Sequence, residues 1–492
     1  MPAVELHEQV GRLRDAVFGG RQATVDTAAI PAVSLLQPID LTDEAAVTEI
    51  LDVAVTVGEI LLDAGTGAID TSAQVRMVAS AYGLDAEVDV TYDSIQIWAG
   101  RGRTLPAVTA MRRVTKRSLD YTRLGHVDGV VRRIVDGRLA PDEASERLAE
   151  IVSAPHPYSR WVAVLGWAAM GASITFLVGG SAPIAAVSLA TTALIYAINR
   201  GLGRLGLPFF FQQVVGGFFA TLPAIVVYRL SIAFDWDVEP YRMTVAGIVV
   251  LLAGLSLVGS VQDAITGAPV TAAARFFEVL VFTGGVVAGV GLALKVGSQL
   301  GASLPPLDQS GLSFAPLPIA VLAGGATATA FGVASYAQRR ALAASFLSGG
   351  VGALVAGGMM NTGFGPVVAS GTAAVVVGFA GGLLARRAVV PPIIVAVAGI
   401  TPLVPGLAVY RAISQILEDQ TSAALSSMVS ALAIGCSLAA GVTLGEWMAR
   451  TARRPRITMS LGDIHRPRVV LDRRRGRPRR LRVVDAEPED LA

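Results

Sequence analysis

The chain has one cysteine, four histidines and two lysines (Lys116 and Lys295) among its 492 residues. A single cysteine excludes an intrachain disulfide framework, and Cys436 lies inside an apolar stretch. Charge is also scarce: 16% of the residues are Asp, Glu, Lys or Arg, against about 25% in an ordinary globular chain. The scarcity is local. Residues 161–449 hold only 20 charges, whereas 1–160 hold 16 basic and 23 acidic residues and 450–492 hold 13 and 6. In a chain that is 53% hydrophobic, this excludes one soluble domain, a disordered chain and a water-soluble coiled coil. It leaves a polytopic membrane protein with a soluble head and a basic tail. The net charge of +2 comes mostly from arginine and gives no sign of a nucleic-acid partner. Residues 1–20 include Glu5, Glu8, Arg12, Arg14 and Asp15, where a signal peptide would need an apolar core. The N-terminus is therefore expected in the cytoplasm.

A helix needs about 20 apolar residues to cross the hydrocarbon core. Ten stretches qualify: 161–180, 182–199, 209–233, 243–262, 276–298, 317–336, 341–359, 366–385, 389–410 and 424–447. The connections agree with this number. With the N-terminus inside, every second connection should be basic. Those connections carry Arg200 and Arg204, Arg275, Arg339 and Arg340, and Arg386 and Arg387. The others carry no charge, or Asp235, Asp237 and Glu239 against Arg242, Asp308, and Glu418 and Asp419 against Arg411. Both termini are then cytoplasmic.

The stretch from Gly254 resembles the stretch from Gly406 at a fixed offset. Gly254-Leu255 falls on Gly406-Leu407, Ala272 on Ala424, Gly289-Val290 on Gly441-Val442, and Leu292 on Leu444. Chance likeness between Ala/Gly-rich helices is the plain alternative. Two related halves of five spans each would insert with opposite topology, a transporter arrangement with the substrate at the interface of the halves. The expected fold is thus an α-helical membrane protein of about ten spans in two related five-helix halves, behind an N-terminal cytoplasmic α/β domain.

Ionisable groups at membrane depth are costly and mark function. Asp263 ends the fourth span, and Arg275 and Glu278 open the fifth across Thr266-Gly267-Ala268-Pro269. Arg229, Arg411 and Glu446 read first as interfacial anchors, but a short acid such as Asp263 cannot snorkel far. In Thr401-Pro402-Leu403-Val404-Pro405-Gly406, two prolines and a glycine interrupt an apolar span. Proline removes a backbone donor, and broken backbone at this depth is tolerated where it is buried or lines a cavity. Such a break can receive a zwitterion, or it can be a packing kink.

Before the spans, residues 1–41 have little pattern. A helix is expected from Thr42, with Asp43 and Glu44 in its first turn, ending at Gly65-Thr66-Gly67. A second runs from Thr71 to Tyr82, Glu87–Ile97 alternates like a strand, and Leu119–Asp136 reads as a helix. Another begins near Leu139 with Pro141 in its first turn. His126 and His156 look isolated. Asp70 and Ser94 are the head's only candidates for chemistry; their simpler roles are a helix cap and a strand residue. No nucleophile motif, phosphate loop or metal-ligand cluster is present, so neither an enzyme nor a cofactor is expected.

Longer motifs are more specific. The head has Gly58-Glu59-Ile60-Leu61-Leu62, Ala64-Gly65, Asp70, Ala81-Tyr82-Gly83-Leu84 and Val88-Asp89-Val90-Thr91. The membrane part has Leu207-Pro208-Phe209-Phe210-Phe211-Gln212, Val250-Leu251-Leu252-Ala253-Gly254, Gln262–Val270, Ala274–Glu278, Gly381–Arg387, Ala398–Pro402, Pro405-Gly406 and Gly445-Glu446-Trp447. Over 45–450 the chain resembles the threonine/serine exporter family, closely its single-chain actinobacterial members. The resemblance implies efflux of threonine and serine, driven by the proton motive force, by a multi-pass protein of the inner (plasma) membrane. Its partners would be threonine, serine, protons and membrane lipid, with no nucleic acid and an oligomeric state left open. The substrate and proton-coupling candidates are Asp263, Arg275, Glu278, Gln212, Gly254, Pro402, Pro405 and Gly406. The organisation expected is a segment 1–41, a domain 42–157, membrane halves 158–298 and 299–449, and a tail 450–492. Two alternatives stand beside this reading: export of a dicarboxylate such as succinate, which should need more than one buried Arg, and a membrane-anchored peptidase acting through the head.

Overall fold

Helix α1 (Glu44–Asp63) starts where its chemistry dictates. Asp43 takes an extended conformation, and its carboxylate accepts the N–H groups of Ala45 and Ala46. Asp43 is thus the cap and not a first-turn residue. The computed structural model describes residues 40–101, 105–114, 119–234, 240–251, 254–299, 301, 315–384, 392–417 and 419–452. The segment 1–39, the tail from 453 and the loop charges Asp235, Asp237, Glu239, Asp308, Arg386, Arg387 and Glu418 lie outside the described residues.

After α1 the chain reverses at Gly65, with φ +89°, where a residue with a Cβ would be strained. Helix α2 (Ala68–Ala81) begins three residues before the expected Thr71. Its first free amide, Ala68 N–H, is satisfied by a residue 195 positions away, which local spacing cannot reveal. The expected single strand over Glu87–Ile97 is a hairpin of β1 (Ala86–Val90) and β2 (Ser94–Arg101). Its turn is closed by the Thr91 N–H donating to the Ser94 carbonyl and by a hydroxyl pair between these residues. A third strand, β3 (Leu105–Arg113), adds to β2, giving an antiparallel sheet in the order β1-β2-β3. Helices α3 (Tyr121–Val135) and α4 (Pro141–Ser153) follow, the first capped by Asp120 and the second opened by Pro141. Ile50, Leu51, Ile95, Ile97, Val127 and Ile134 fill the core between them.

Eight long helices follow the expected spans: α5 (Arg160–Leu177), α6 (Ala182–Arg204), α7 (Phe209–Phe234), α10 (Pro269–Gln299), α11 (Leu317–Ala334), α12 (Arg339–Asn361), α13 (Pro366–Leu384) and α16 (Thr421–Thr451). Each is long and apolar enough to cross a membrane. The fourth and ninth expected spans are bent pairs. One is α8 (Pro240–Leu251) with α9 (Gly254–Thr266), bent by 46°. The other is α14 (Pro392–Ile400) with α15 (Gly406–Leu417), bent by 43° around a 3₁₀ turn, Thr401–Leu403. The described residues therefore hold eight spans, or ten if each bent pair counts as one. The chain is a polytopic membrane protein.

Small residues let the helices approach. A Cβ on Gly289 of α10 would collide with the Val214 carbonyl and the Phe218 amide of α7. A Cβ on Gly441 of α16 would meet the Gly371 carbonyl and the Val375 amide of α13. Gly406 is packed on Val249, so the two bent pairs cross beside their breaks.

The N-terminal elements are not a separate bead. The Tyr121 amide donates to the Ser335 carbonyl, and the Tyr121 ring meets Phe331 edge-on, 6.1 Å away. His156, read from sequence as isolated, instead bonds Asp120 at 2.7 Å through Nδ1 and stacks on Tyr336 at 4.2 Å. One apolar cluster runs from Ile50 and Leu124 into Met170, Ile174 and Phe331 of the helical bundle.

Candidate functional site

Helix α9 stops just after Asp263, where Gly267 adopts φ +105° and the Gly267 and Ala268 amides donate to the Asp263 carbonyl. Pro269 then opens α10, and the Ser260 hydroxyl donates to the Ala272 carbonyl, pinning the two helices side by side. This hairpin brings Arg275 Nη1 to 3.0 Å from Asp263 Oδ2. Both side chains are buried, Asp263 at 1% exposure and Arg275 at 7%. Arg275 can lie there because Gly259 has no side chain; a Cβ on it would sit 3.1 Å from Nη1.

The other carboxylate oxygen turns to the N-terminal segment. Asp263 Oδ1 accepts the Ala68 N–H at 3.1 Å, the first amide of α2. Free amides at a helix start carry partial positive charge, so this carboxylate is held between a guanidinium and a helix N-terminus. Gly67 permits the approach, since a Cβ there would be 3.2 Å from Oδ1.

A cavity of about 1140 Å³ opens beside this junction, walled by both the N-terminal segment and the bundle. Asp263, Arg275 and Glu278 line it, together with Asp70. Asp70 is not a helix cap, because Gly67 holds that position; it sits in the first turn of α2. Burial pushes its carboxyl above the usual aspartate range, the Arg450 charge partly opposes this, and the Asp263 charge adds to it.

The remaining candidates lie elsewhere. Ser94 opens β2 and bonds Thr91. Gln212 donates to the Leu207 carbonyl, while its neighbour Gln213 lines the cavity. Gly254 opens α9. At the other break, Thr401 and Val404 form the wall; Pro402, Pro405 and Gly406 shape the bend behind them. Arg450, which sequence reading places at the start of the basic tail, is still within α16 and lines the cavity with Glu446. The signal was there in outline: Glu446 and Arg450 are four residues apart, so they share one face of a helix.

The walls are otherwise largely apolar, with Trp167, Phe209, Phe282, Phe331 and Ile400 among them. Acids and arginines on an apolar lining suit a small dipolar solute. The described residues hold no cluster of metal-ligating side chains. A multi-helix membrane bundle with a mixed-charge cavity, walled in part by residues that precede the spans, is the architecture of a small-solute transporter.

Comparison with known proteins makes this specific. A family model described as "Putative threonine/serine exporter" matches residues 52–297, and a second, described as a threonine/serine exporter, matches 321–448. The chain is 46% identical over 448 residues to the "Threonine/serine exporter" of Corynebacterium glutamicum, covering 89% of this chain and 91% of that protein. It is 38% identical over 419 residues to the "Probable threonine/serine exporter" of Mycobacterium tuberculosis, covering 84% and 78%. No solved structure matches. The chain belongs to the threonine/serine exporter family, a family of transporters and not of enzymes.

Proposed function

We propose that the protein exports threonine and serine from the cytoplasm across the inner membrane, driven by the proton motive force, with both termini cytoplasmic. The observation that carries this reading, beside family membership, is the cavity where Asp70, Asp263, Arg275 and Arg450 converge. A zwitterion crossing alone moves no net charge. An entering proton gains about 2.3 kcal/mol per 100 mV, enough for a gradient of roughly fifty-fold. Coupling then needs a carboxyl that exchanges protons and senses the substrate. The cavity offers such acids, and Asp263 ties its two walls together, with Arg275 of the bundle on one side and Ala68 of the N-terminal segment on the other. A dicarboxylate would need two available guanidinium groups, and Arg275 is engaged by Asp263.

The bundle is read as two inverted five-span halves. Helices α8, α9, α10 and α14, α15, α16 begin at Pro240, Gly254, Pro269 and at Pro392, Gly406, Thr421, one constant shift apart. Helices α10 and α16 are 31 residues each. Gly289 and Gly441, equivalent under that shift, each press on a carbonyl and an amide of the helix they cross. The inverted arrangement follows because each half has an odd number of spans. The segment read as 42–157 would then be cytoplasmic, a reading supported by its contacts at Asp263, beside Arg275, and at Ser335, four residues before Arg339.

Whole cells fed a threonine-containing dipeptide provide the test. Cells with the gene should release threonine faster than cells lacking it, and a protonophore should abolish the difference. Equal release by both strains would refute the reading.

A further inference from the structure

We infer that Asp70 and Arg450 form a two-point clamp for the α-ammonium and α-carboxylate of the transported amino acid. The clamp would draw one residue from the N-terminal segment and one from the last long helix. This rests on the exporter reading and names the contacts of its substrate.

Charge pairing inside the cavity leads to this assignment. Asp263 and Arg275 are locked to each other at 3.0 Å, and Ala68 N–H takes a further acceptor site. A substrate binding there must first break a buried ion pair, which is costly. Asp70 and Arg450 differ. Both line the cavity, and among the described residues neither side chain forms a hydrogen bond or an ion pair. They are close enough for the Arg450 charge to act on the Asp70 carboxyl, yet they do not meet. An acid and a base lining one cavity are complementary to a molecule carrying an ammonium and a carboxylate on one carbon. Bridging them replaces two half-solvated charges by two charge-assisted hydrogen bonds.

Asp70 also gives the clamp a natural link to protons. Burial favours its neutral form, Asp263 reinforces this, and Arg450 opposes it. Arg275, Glu278 and Glu446 are the other charged groups lining the bundle side. An arriving ammonium stabilises the carboxylate, so substrate binding expels the proton and substrate release readmits one. Proton and amino acid thus compete for one carboxyl, which is the minimum that exchange requires.

The test measures binding to the purified full-length protein of threonine, of threonine amide, which lacks the carboxylate, and of the hydroxy acid lacking the amino group. Arg450→Gln should weaken threonine about 10- to 100-fold while leaving the amide unchanged. Asp70→Asn should weaken threonine and the amide to a similar extent and spare the hydroxy acid, and Asp70→Glu should restore part of the loss. Wild-type affinity for threonine in either variant overturns the clamp. So does an equal loss of all three ligands without rescue by Asp70→Glu, which makes the residues structural. A wild-type protein that binds none of the three contradicts the exporter reading itself, whereas a wild type that binds threonine with indifferent variants contradicts only the clamp.

Discussion

Asp263 combines two costs that its neighbours offset. Its carboxylate is almost wholly buried and is matched by one guanidinium and one helix amide. Removing one partner of such a pair leaves the other charge stranded, at about 3–5 kcal/mol. Asp263→Asn should therefore lower stability by that order and stop proton-driven export. Asp263→Asn with Arg275→Gln should recover much of the stability but not the transport. Thermal unfolding of the purified variants, with transport assayed in parallel, checks both; a double variant no more stable than the single would mean that the pair is not coupled. At Asp70 the sign of the pH effect follows from the raised carboxyl. The ammonium needs the ionised form, so threonine affinity should be full above that pKa and fall as pH drops through it. Asp70→Asn should flatten the profile. The pair of Asp263 with Arg275 was legible from a short turn between two charges. Arg450 was not, because a residue at a span end reads equally as an anchor or as the start of a tail until the fold shows what it faces.

Among the elements, the long spans were the most legible, since an apolar run of membrane length has few other uses. The two breaks were half legible. Pro402 and Pro405 announce one, while the bend between α8 and α9 has no proline at Leu251 or Gly254, its described edges. The hairpin of β1 and β2 was read as one strand because Val88, Val90 and Tyr92 alternate and Ile95 and Ile97 alternate after them; the change of phase across Asp93-Ser94, beside the hydroxyl pair of Thr91 and Ser94, marks the turn. β3 was missed because it is a largely exposed edge strand with Pro106 near its start. Helix crossings give a further prediction. Gly289→Leu and Gly441→Leu each force a side chain into the backbone of the crossing helix. Overpacking of this kind costs about 1–3 kcal/mol or more, so each variant should melt earlier than wild type. Gly284→Ala, at an open position on α10, should melt with it. Equal melting of all three would argue against the close crossings.

For the whole molecule, the decisive feature is that the N-terminal segment and the bundle share one cavity and one apolar cluster. Sequence separated them into head and membrane part because composition changes sharply near residue 160; contacts between Ala68 and Asp263, or His156 and Tyr336, leave no local trace. If the segment completes the site, a protein lacking 42–157 should still insert but should no longer export. The central claim is proton-coupled export of a small neutral amino acid, and it is tested most directly by reconstituting the full-length protein in liposomes. Labelled threonine and internal pH are followed together after a pH gradient is imposed. The account predicts threonine accumulation against its gradient, an opposing proton flux that stops when threonine is omitted, and loss of both in Asp263→Asn. Threonine that only equilibrates, with no proton movement linked to it, would contradict the account.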